Sequence, residues 1–185
     1  WSTPASLLLS AYNNININQS ITSINENGKL VLLYGQGASD GVVNGTLATY
    51  HVNAPINLHS GSNFSTRLGS ADAGLKEFYV ITSLGDEGSV SPQDLQGING
   101  GLSQNYALGV NIDASATAGW TNGFAPIGAN YGAQFTGSFD GLGHTITNLQ
   151  ISRPLQNNVG LFSATLNADI RNVGLVDASI SGMHN

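Results

Sequence analysis

The pattern with the clearest chemical potential is Asp-Gly-Leu-Gly-His at residues 140–144. An aspartate and a histidine four positions apart could form an acid/base pair or contribute ligands to a metal ion. The same residues also suit a tight turn, in which Asp140 caps the turn, Gly141 and Gly143 take positive φ, and His144 begins a strand. The elements around the motif must decide between the two interpretations.

Three acidic residues, Asp86, Glu87 and Asp94, lie close together in the segment LGDEGSVSPQD. Carboxylate oxygens from an irregular loop are ligands that Ca²⁺ prefers, so a calcium site near Asp86–Asp94 is one interpretation. The spacing does not follow an EF-hand loop, and Asp94 also suits the first turn of a short helix that starts at Ser91 and stops at Gly97. We favour the capping role and predict no metal site.

Two histidines flank the segment VNAPINL, at positions 51 and 59. Imidazole nitrogens could hold a metal or haem. Because His51 and His59 belong to different predicted strands and need not face each other, we expect surface histidines and predict no cofactor.

Three Asn-x-Ser/Thr sequences, at Asn18, Asn44 and Asn63, match the acceptor pattern for N-glycosylation. The chain contains many asparagines, so a few such matches are expected by chance. The sequence alone leaves glycosylation open.

An enzyme is difficult to assemble from the remaining residues. The chain has no nucleophile elbow, HExxH or phosphate-loop pattern. Polysaccharide-active β-helix enzymes need clustered carboxylates, often with a Lys or Arg, and the five basic residues are spread from Lys29 to Arg171. Four aromatic residues could stack on sugars or fill the core: Trp120, Phe124, Tyr131 and Phe135. We predict no catalytic residues and keep a carbohydrate-active enzyme as the alternative.

Composition indicates a folded, mostly β chain. Of 185 residues, 41% are hydrophobic and 9% charged, with 24 Gly. Gly and Asn are poor helix formers and accept positive φ, so the chain turns often.

The net charge of −6 and the lack of a basic cluster argue against nucleic acid as a partner. No apolar run approaches the roughly 20 residues of a membrane span. With no signal peptide and Met183 as the single Met, we expect a fragment of a longer protein.

Two short internal repeats, called the first and second echo below, predict a solenoid. Apolar residues alternate with Ser and Asn from Leu7 onward, as in strands with one buried face, and LLLSAY returns as LVLLYG, which places Leu7 over Leu30. The segment TITNLQI returns as DIRNVGL at nearly the same interval as that from Leu7 to Leu30. This second repeat would place Ile146 over Ile170 and Asn148 over Asn172. A coil of this length would stack the aliphatic residues in columns and the asparagines in a ladder.

The predicted fold is therefore an all-β, right-handed parallel β-helix formed by one segment, residues 1–185, with one short helix. We expect loops to project near 60–75, 85–105 and 116–133, where the strand pattern is interrupted. A β-sandwich is the structural alternative.

The segment FTGSFDGLGHTITNLQISRP…NNVGLFSATLNADIRNVGLVDASISG, residues 135–182, resembles the Gly-rich GLUG repeats of large bacterial surface exoproteins. These include filamentous-haemagglutinin-like adhesins exported by two-partner secretion. The upstream segments YHVNAPINLHSGSNFSTRLGS, YVITSLGDEGS and NYALGVNIDASATAGW are similar to segments of such proteins. The resemblance makes the motif at 140–144 a repeat feature, so we assign Asp140, Gly141, Gly143, Asn148 and Asn172 to turns and ladders.

The resemblance implies a non-enzymatic segment of a secreted adhesin on the surface of a Gram-negative bacterium. Its loops would contact host-cell or matrix glycans or proteins, in adhesion or biofilm formation. The full-length protein would need an outer-membrane secretion partner. An accessory domain of a surface protease is a further alternative.

Overall fold

The chain is a β-solenoid. A computed structural model describes residues 1–71, 74–128 and 132–183. Strands make up 39% of the described residues and helices 6%, and the strands are arranged in a solenoid of about 5 turns. The predicted solenoid is therefore confirmed, and the sandwich alternative is wrong. In that part of the chain the helical residues form two 3-10 helices, η1 (Gln96–Gly100) and η2 (Ser115–Gly119).

The backbone divides into two compact units, Trp1–Val80 and Ile81–Asn185, which are described separately. That residues 1–185 form a single segment of a much longer protein stays a prediction.

The first unit stacks its coils through parallel strand pairs. Its strands are β1 (Ser6–Ser10), β2 (Ile15–Ile17), β3 (Ile21–Thr22), β4 (Lys29–Tyr34), β5 (Val42–Val43), β6 (Thr46–Leu47), β7 (Tyr50–Val52), β8 (Ile56–Asn57), β9 (Gly61–Leu68) and β10 (Lys76–Ile81), whose last residue begins the second unit. Parallel pairs are β1–β4, β4–β9, β2–β7 and β3–β8. The pairs β5–β6 and β9–β10 are antiparallel.

The first echo, from Leu7 to Leu30, is one circuit of the chain. These two residues pair in adjacent parallel strands, as the repeated sequence predicts. The next circuit is longer, because Ile15 pairs with Tyr50. The added length lies between β4 and β7, where the β5–β6 hairpin is inserted. Coil length is therefore not constant.

A row of aromatic rings fills the interior of the first unit. Tyr34 on β4 meets Tyr50 on β7 edge-on, with ring centroids 5.2 Å apart. Tyr50 meets Phe64 on β9 at 6.3 Å, and Phe64 meets Phe78 on β10 at 5.0 Å. Such pairs contribute about 0.5–1.5 kcal/mol each beyond the burial of their area. The row links the side chains of successive coils.

The loop predicted at 60–75 is wrong over most of its length. Residues 61–68 form β9, which lies between β4 and β10, and the side chains from Asn63 to Thr66 are buried. Because this strand contains Ser, Thr and Asn, it lacks the hydrophobic alternation by which a buried strand is predicted. Residues 72–73 of the predicted loop lie outside the described residues.

The second unit repeats a three-strand coil. Its strands are β11 (Tyr106–Leu108), β12 (Ile112–Asp113), β13 (Ser138–Asp140), β14 (Thr145–Thr147), β15 (Gln150–Arg153), β16 (Asp169–Arg171), β17 (Gly174–Val176) and β18 (Ser179–Gly182). Parallel pairing joins β11, β13 and β16 in one row, β12, β14 and β17 in a second, and β15 with β18 in a third.

The predicted stacking of Ile146 over Ile170 is wrong. Ile146 pairs with Leu175 of the next coil, while Ile170 pairs with Phe139 of the preceding coil. The preceding circuit, from Ile112 to Ile146, is longer than the circuit from Ile146 to Leu175. The second echo therefore joins two different strand rows, in a sequence rich in Asn and aliphatic residues where such matches arise readily.

Residues 85–105 belong to a coil instead of projecting as a loop. Leu95 and Ile98 are fully buried, and the side-chain oxygen of Gln96 accepts a hydrogen bond from the N–H of Ala125 at 2.8 Å. The helix predicted from Ser91 to Gly97 is displaced, since the helical residues are η1 and its geometry is 3-10. Gly97 packs so closely on the Ser91 carbonyl that a Cβ would collide there.

The loop predicted at 116–133 is likewise largely part of the stack. It begins within η2, and Phe124 and Ile127 then donate backbone hydrogen bonds to Gln150 and Leu161 of the next coil, each at 2.8 Å. Both donor residues are fully buried. Residues 129–131 lie outside the described residues.

A double-cysteine variant tests the register of the second unit. A Cβ built on Gly174 lies 4.0 Å from the Cβ of Thr145, a separation that a disulfide accepts. The chain has no native cysteine, so Thr145→Cys with Gly174→Cys should form an intrachain disulfide under mild oxidation, detected by peptide mass spectrometry. The matched pair Thr145→Cys with Asp169→Cys, which the second echo would place together, should stay reduced. Efficient closure of the second pair alone would contradict the register.

Candidate functional site

Asp140 is the centre of a buried polar network at the end of β13. Its Oδ1 accepts hydrogen bonds from the N–H of Leu142 and the side-chain amide of Asn172, both at 2.9 Å. Its Oδ2 pairs with Nε of Arg171 at 3.2 Å. The side chain of Asp140 is 2% exposed and that of Arg171 25%. Both carboxylate oxygens therefore hold groups of the protein itself, and the arrangement joins two coils.

The turn after Asp140 differs in detail from the prediction. Leu142 and Gly143 take positive φ, at 48° and 81°, whereas Gly141 does not. Gly141 is required for another reason, because a Cβ there would collide with the carbonyl of Asn172 and with Val173 in the next coil. Leu142, unusual at positive φ, is fully buried, so packing stabilises the conformation.

His144 ends the turn that follows Asp140, since its N–H donates to the carbonyl of Gly141 at 2.8 Å. It is 3% exposed, and its Nδ1 lies 3.1 Å from Oδ1 of Asn111. The same Asn111 oxygen accepts the N–H of Thr145 at 3.1 Å. These bonds connect His144 and the first residue of β14 with the coil before it.

Asn148 and Asn172 do not stack on each other, so the predicted asparagine ladder is wrong. Each takes positive φ, 57° and 56°, directly after a strand of its coil. Each amide instead reaches an aspartate of the preceding coil. Asn148 donates to Asp113 at 3.1 Å, and Asn172 donates to Asp140 at 2.9 Å. In each case the Asn directly follows the residue that pairs with the Asp in the parallel ladder, namely Thr147 for Asp113 and Arg171 for Asp140.

The hydrogen bond from Asn148, with weaker contributions from the N–H and hydroxyl of Ser115, lowers the pKa of Asp113. Because folding lowers this pKa, the contribution of the carboxylate to stability is present above its ordinary pKa. It is lost as the pH falls through the folded value. Asp113 is fully exposed, so solvent screens the effect.

The candidate calcium ligands serve separate turns. Asp94 accepts the N–H of Gly97 at 2.7 Å and the hydroxyl of Ser89 at 2.8 Å. Glu87 accepts the N–H of Thr121 at 2.8 Å, and Asp86 is exposed. Within 1–71, 74–128 and 132–183, no three His, Cys, Asp or Glu side chains are grouped as metal ligands would be.

The candidate histidines and aromatic residues fall in contrasting environments. His51 on β7 and His59 after β8 are exposed. Phe124 and Phe135 are fully buried, so their rings cannot stack on a sugar, whereas Trp120 is half-buried. Tyr131 lies outside the described residues.

A recess that the sequence did not reveal opens at the ends of β4 and β9 and the start of β10. Its volume is about 390 Å³, and it contains two of the five basic residues of the chain. The described residues that line it include no acid: Tyr34, Thr66, Arg67, Leu68, Gly74, Leu75 and Lys76.

The basic side chains of this recess are held in place. Gln36 donates to the carbonyls of Tyr34 and Gly69 at 3.1 and 2.7 Å, and its own oxygen accepts Nη2 of Arg67 at 3.3 Å. The Nε of Arg67 is buried and has no hydrogen-bond partner. The Lys76 ammonium lies 5.5 Å from the ring centroid of Phe78. The arrangement presents positive charge in an otherwise acidic chain.

Fold and networks together define a β-solenoid whose coils are joined by buried and exposed polar side chains. The chain is 35% identical over 173 residues to halomucin of Haloquadratum walsbyi, a match that covers 86% of the chain. The chain spans 2% of the length of that relative. No family model matches the chain, and no solved structure matches it. None of the helices in the described part of the chain is long and apolar enough to cross a membrane.

Replacing Asp140 tests the network. Asp140→Ala removes the acceptor of two N–H donors and leaves Arg171 without its carboxylate, so we expect the free energy of unfolding to fall by about 2–3 kcal/mol. The value lies below that for a fully buried pair because Arg171 is partly exposed. Urea unfolding followed by circular dichroism measures it. The exposed control Asp86→Ala should cost less than about 0.5 kcal/mol. Equal effects of the two substitutions would contradict the assigned role.

Proposed function

We propose that the chain is a non-enzymatic structural segment of a secreted or cell-surface protein. The observation that carries this proposal is the solenoid itself, in which Asp140, the candidate acid or base of the sequence, and Asp113 both join coils. Asp140 uses both oxygens within the protein, and Asp113 is bonded by Asn148 and Ser115. These bonds favour a structural role over the carbohydrate-active alternative.

The mechanical basis is contact between neighbouring coils. In a solenoid each coil is stabilised mainly by the coils beside it, and the backbone ladder repeats along the stack. Polar side chains add to that ladder in both units. In the first unit Asn53 donates to Asn18 at 2.8 Å and Asn57 to Thr22 at 2.9 Å. Many such bonds in parallel suit a segment that spaces or displays other parts of a long protein.

The likeness to halomucin supports an extracellular location. That relative is named as a mucin, and mucin-like stalks are glycosylated extracellular segments. The bacterial surface, two-partner secretion and the likeness to filamentous-haemagglutinin-like adhesins remain predictions from the sequence resemblance. The location we propose does not depend on that route.

Labelling of intact cells tests the location. An antibody raised against this segment should label unpermeabilised cells of the organism that produces it, or detect the protein in the medium. External protease should remove the signal while a cytoplasmic marker protein stays intact. Label that appears only after permeabilisation, with none in the medium, would overturn the extracellular role.

A second function, attachment to glycans, is favoured by the recess at Arg67 and Lys76. The guanidinium of Arg67, which lines the recess, can pair with a carboxylate or sulfate. We propose an acidic saccharide as the ligand, because the two charged residues among the described lining of the recess, Arg67 and Lys76, are basic.

Calorimetry with purified protein tests this binding. An oligosaccharide of polygalacturonate should bind and weaken with added salt, whereas a neutral dextran oligosaccharide should not bind. Arg67→Gln and Lys76→Gln should each weaken binding about tenfold, equivalent to about 1.4 kcal/mol. Lys29→Gln is the matched control, since it removes one exposed charge of the same unit outside the recess. Equal losses in all three variants, or no binding, would contradict the recess as a site.

A further inference from the structure

The hairpin β5–β6 carries the second of the three Asn-x-Ser/Thr sequences at its tip. Val43 pairs with Thr46, so Asn44 and Gly45 form the two-residue turn. Both take positive φ, 51° and 79°, as a tight hairpin turn requires. Val43, directly before the turn, is 3% exposed, so its buried side chain fixes the hairpin on the protein.

The tip of this hairpin has room for a large substituent. Asn44, Gly45 and Thr46 are all exposed. A Cβ built on Gly45 meets no atom within 4 Å. Beside the tip, the cross-strand pair Val42 and Leu47 is 40% and 58% exposed. A sugar attached at Asn44 could cover this apolar pair, which is otherwise in contact with water.

The third sequence, at Asn63, is closed to modification. Asn63 is 6% exposed, and its amide nitrogen donates to the carbonyls of Glu26, His59 and Ser60 at 3.0–3.1 Å. A glycosidic bond would replace one N–H of this nitrogen and place a sugar inside the core. Phe64, the next residue, is 1% exposed, so the whole acceptor sequence lies within β9.

The first acceptor sequence, at Asn18, is intermediate in accessibility between those at Asn44 and Asn63. Asn18 is exposed, but its side-chain oxygen accepts the amide of Asn53 in the next coil at 2.8 Å. A sugar there would have to leave this inter-coil bond in place. Accessibility therefore ranks Asn44 above Asn18, and Asn18 above Asn63.

We propose that Asn44 is an N-glycosylation site and that Asn63 is never modified, an inference that rests on the proposed extracellular location. In the reaction, Nδ2 of Asn44 forms a C–N bond to the anomeric carbon of a phosphate-activated sugar donor. The bond from that carbon to the phosphate oxygen breaks, the phosphate leaves with the electron pair, and the amide proton passes to a base of the transferase. Thr46 supplies the hydroxyl of the acceptor sequence.

Glycopeptide mass spectrometry of the protein from its natural producer tests the site. Asn44 should carry a glycan with the highest occupancy of the three positions, and Asn63 none. Thr46→Ala breaks the acceptor sequence but keeps Asn44 in its turn, so it should abolish the modification with thermal unfolding shifted only slightly. The conservative control Thr46→Ser should retain it.

The outcomes separate this inference from the proposed function. A chain that is displayed at the surface with Asn44 unmodified would overturn the glycosylation site alone. A chain that stays inside the cell and carries no glycan would overturn both. Modification of Asn63, or a glycan on Asn44 that persists in Thr46→Ala, would contradict the structural ranking.

Discussion

Parallel pairing between successive coils is the interaction on which the rest of the structure depends. Once Ile112, Ile146 and Leu175 occupy one row, every corner of the coil must return the chain to the same place, and polar side chains inside the coil must find hydrogen-bond partners there. The turns between the strand rows can vary in length and sequence, because only the residues at their ends must join the hydrogen-bonded strands. A short circuit such as Leu7 to Leu30 and a long one such as Ile15 to Tyr50 therefore coexist in one fold.

The same constraint explains why so few residues are charged. Identical carboxylates stacked about 4.8 Å apart would repel, whereas an amide has both a donor and an acceptor and can bond to the coil on either side. Asn148 and Asn172 each reach back to an aspartate, so one acid per pair suffices. Asp140 is the exception that accepts a cation, and Arg171 lies beside it in the paired register. Amides at positive φ thus serve as both turn residues and links.

The fold class and the first register could be predicted from the sequence because one coil, from Leu7 to Leu30, has no insertion. The second register could not, since the echo at Asn148 and Asn172 compares two corners that follow different strand rows. Local periodicity does not report how many residues a corner contains. The buried strand that contains Asn63 could not be predicted either, because its Ser, Thr and Asn side chains break the hydrophobic alternation by which a strand is recognised. The resemblance to bacterial exoproteins stays untested by these contacts.

In the first unit, the inserted hairpin β5–β6 and the recess lie where one circuit of the solenoid is longer than the circuit before it. The longer circuit departs from β4 at Tyr34, a residue that lines the recess with Arg67. Gly41, at the base of the inserted hairpin, packs on Leu68 of the same recess so closely that a Cβ would collide. Hairpin and recess therefore share one corner, fixed by contacts of the stack. The stack can tolerate changes in the exposed hairpin tip at little cost, because the ladder does not pass through it.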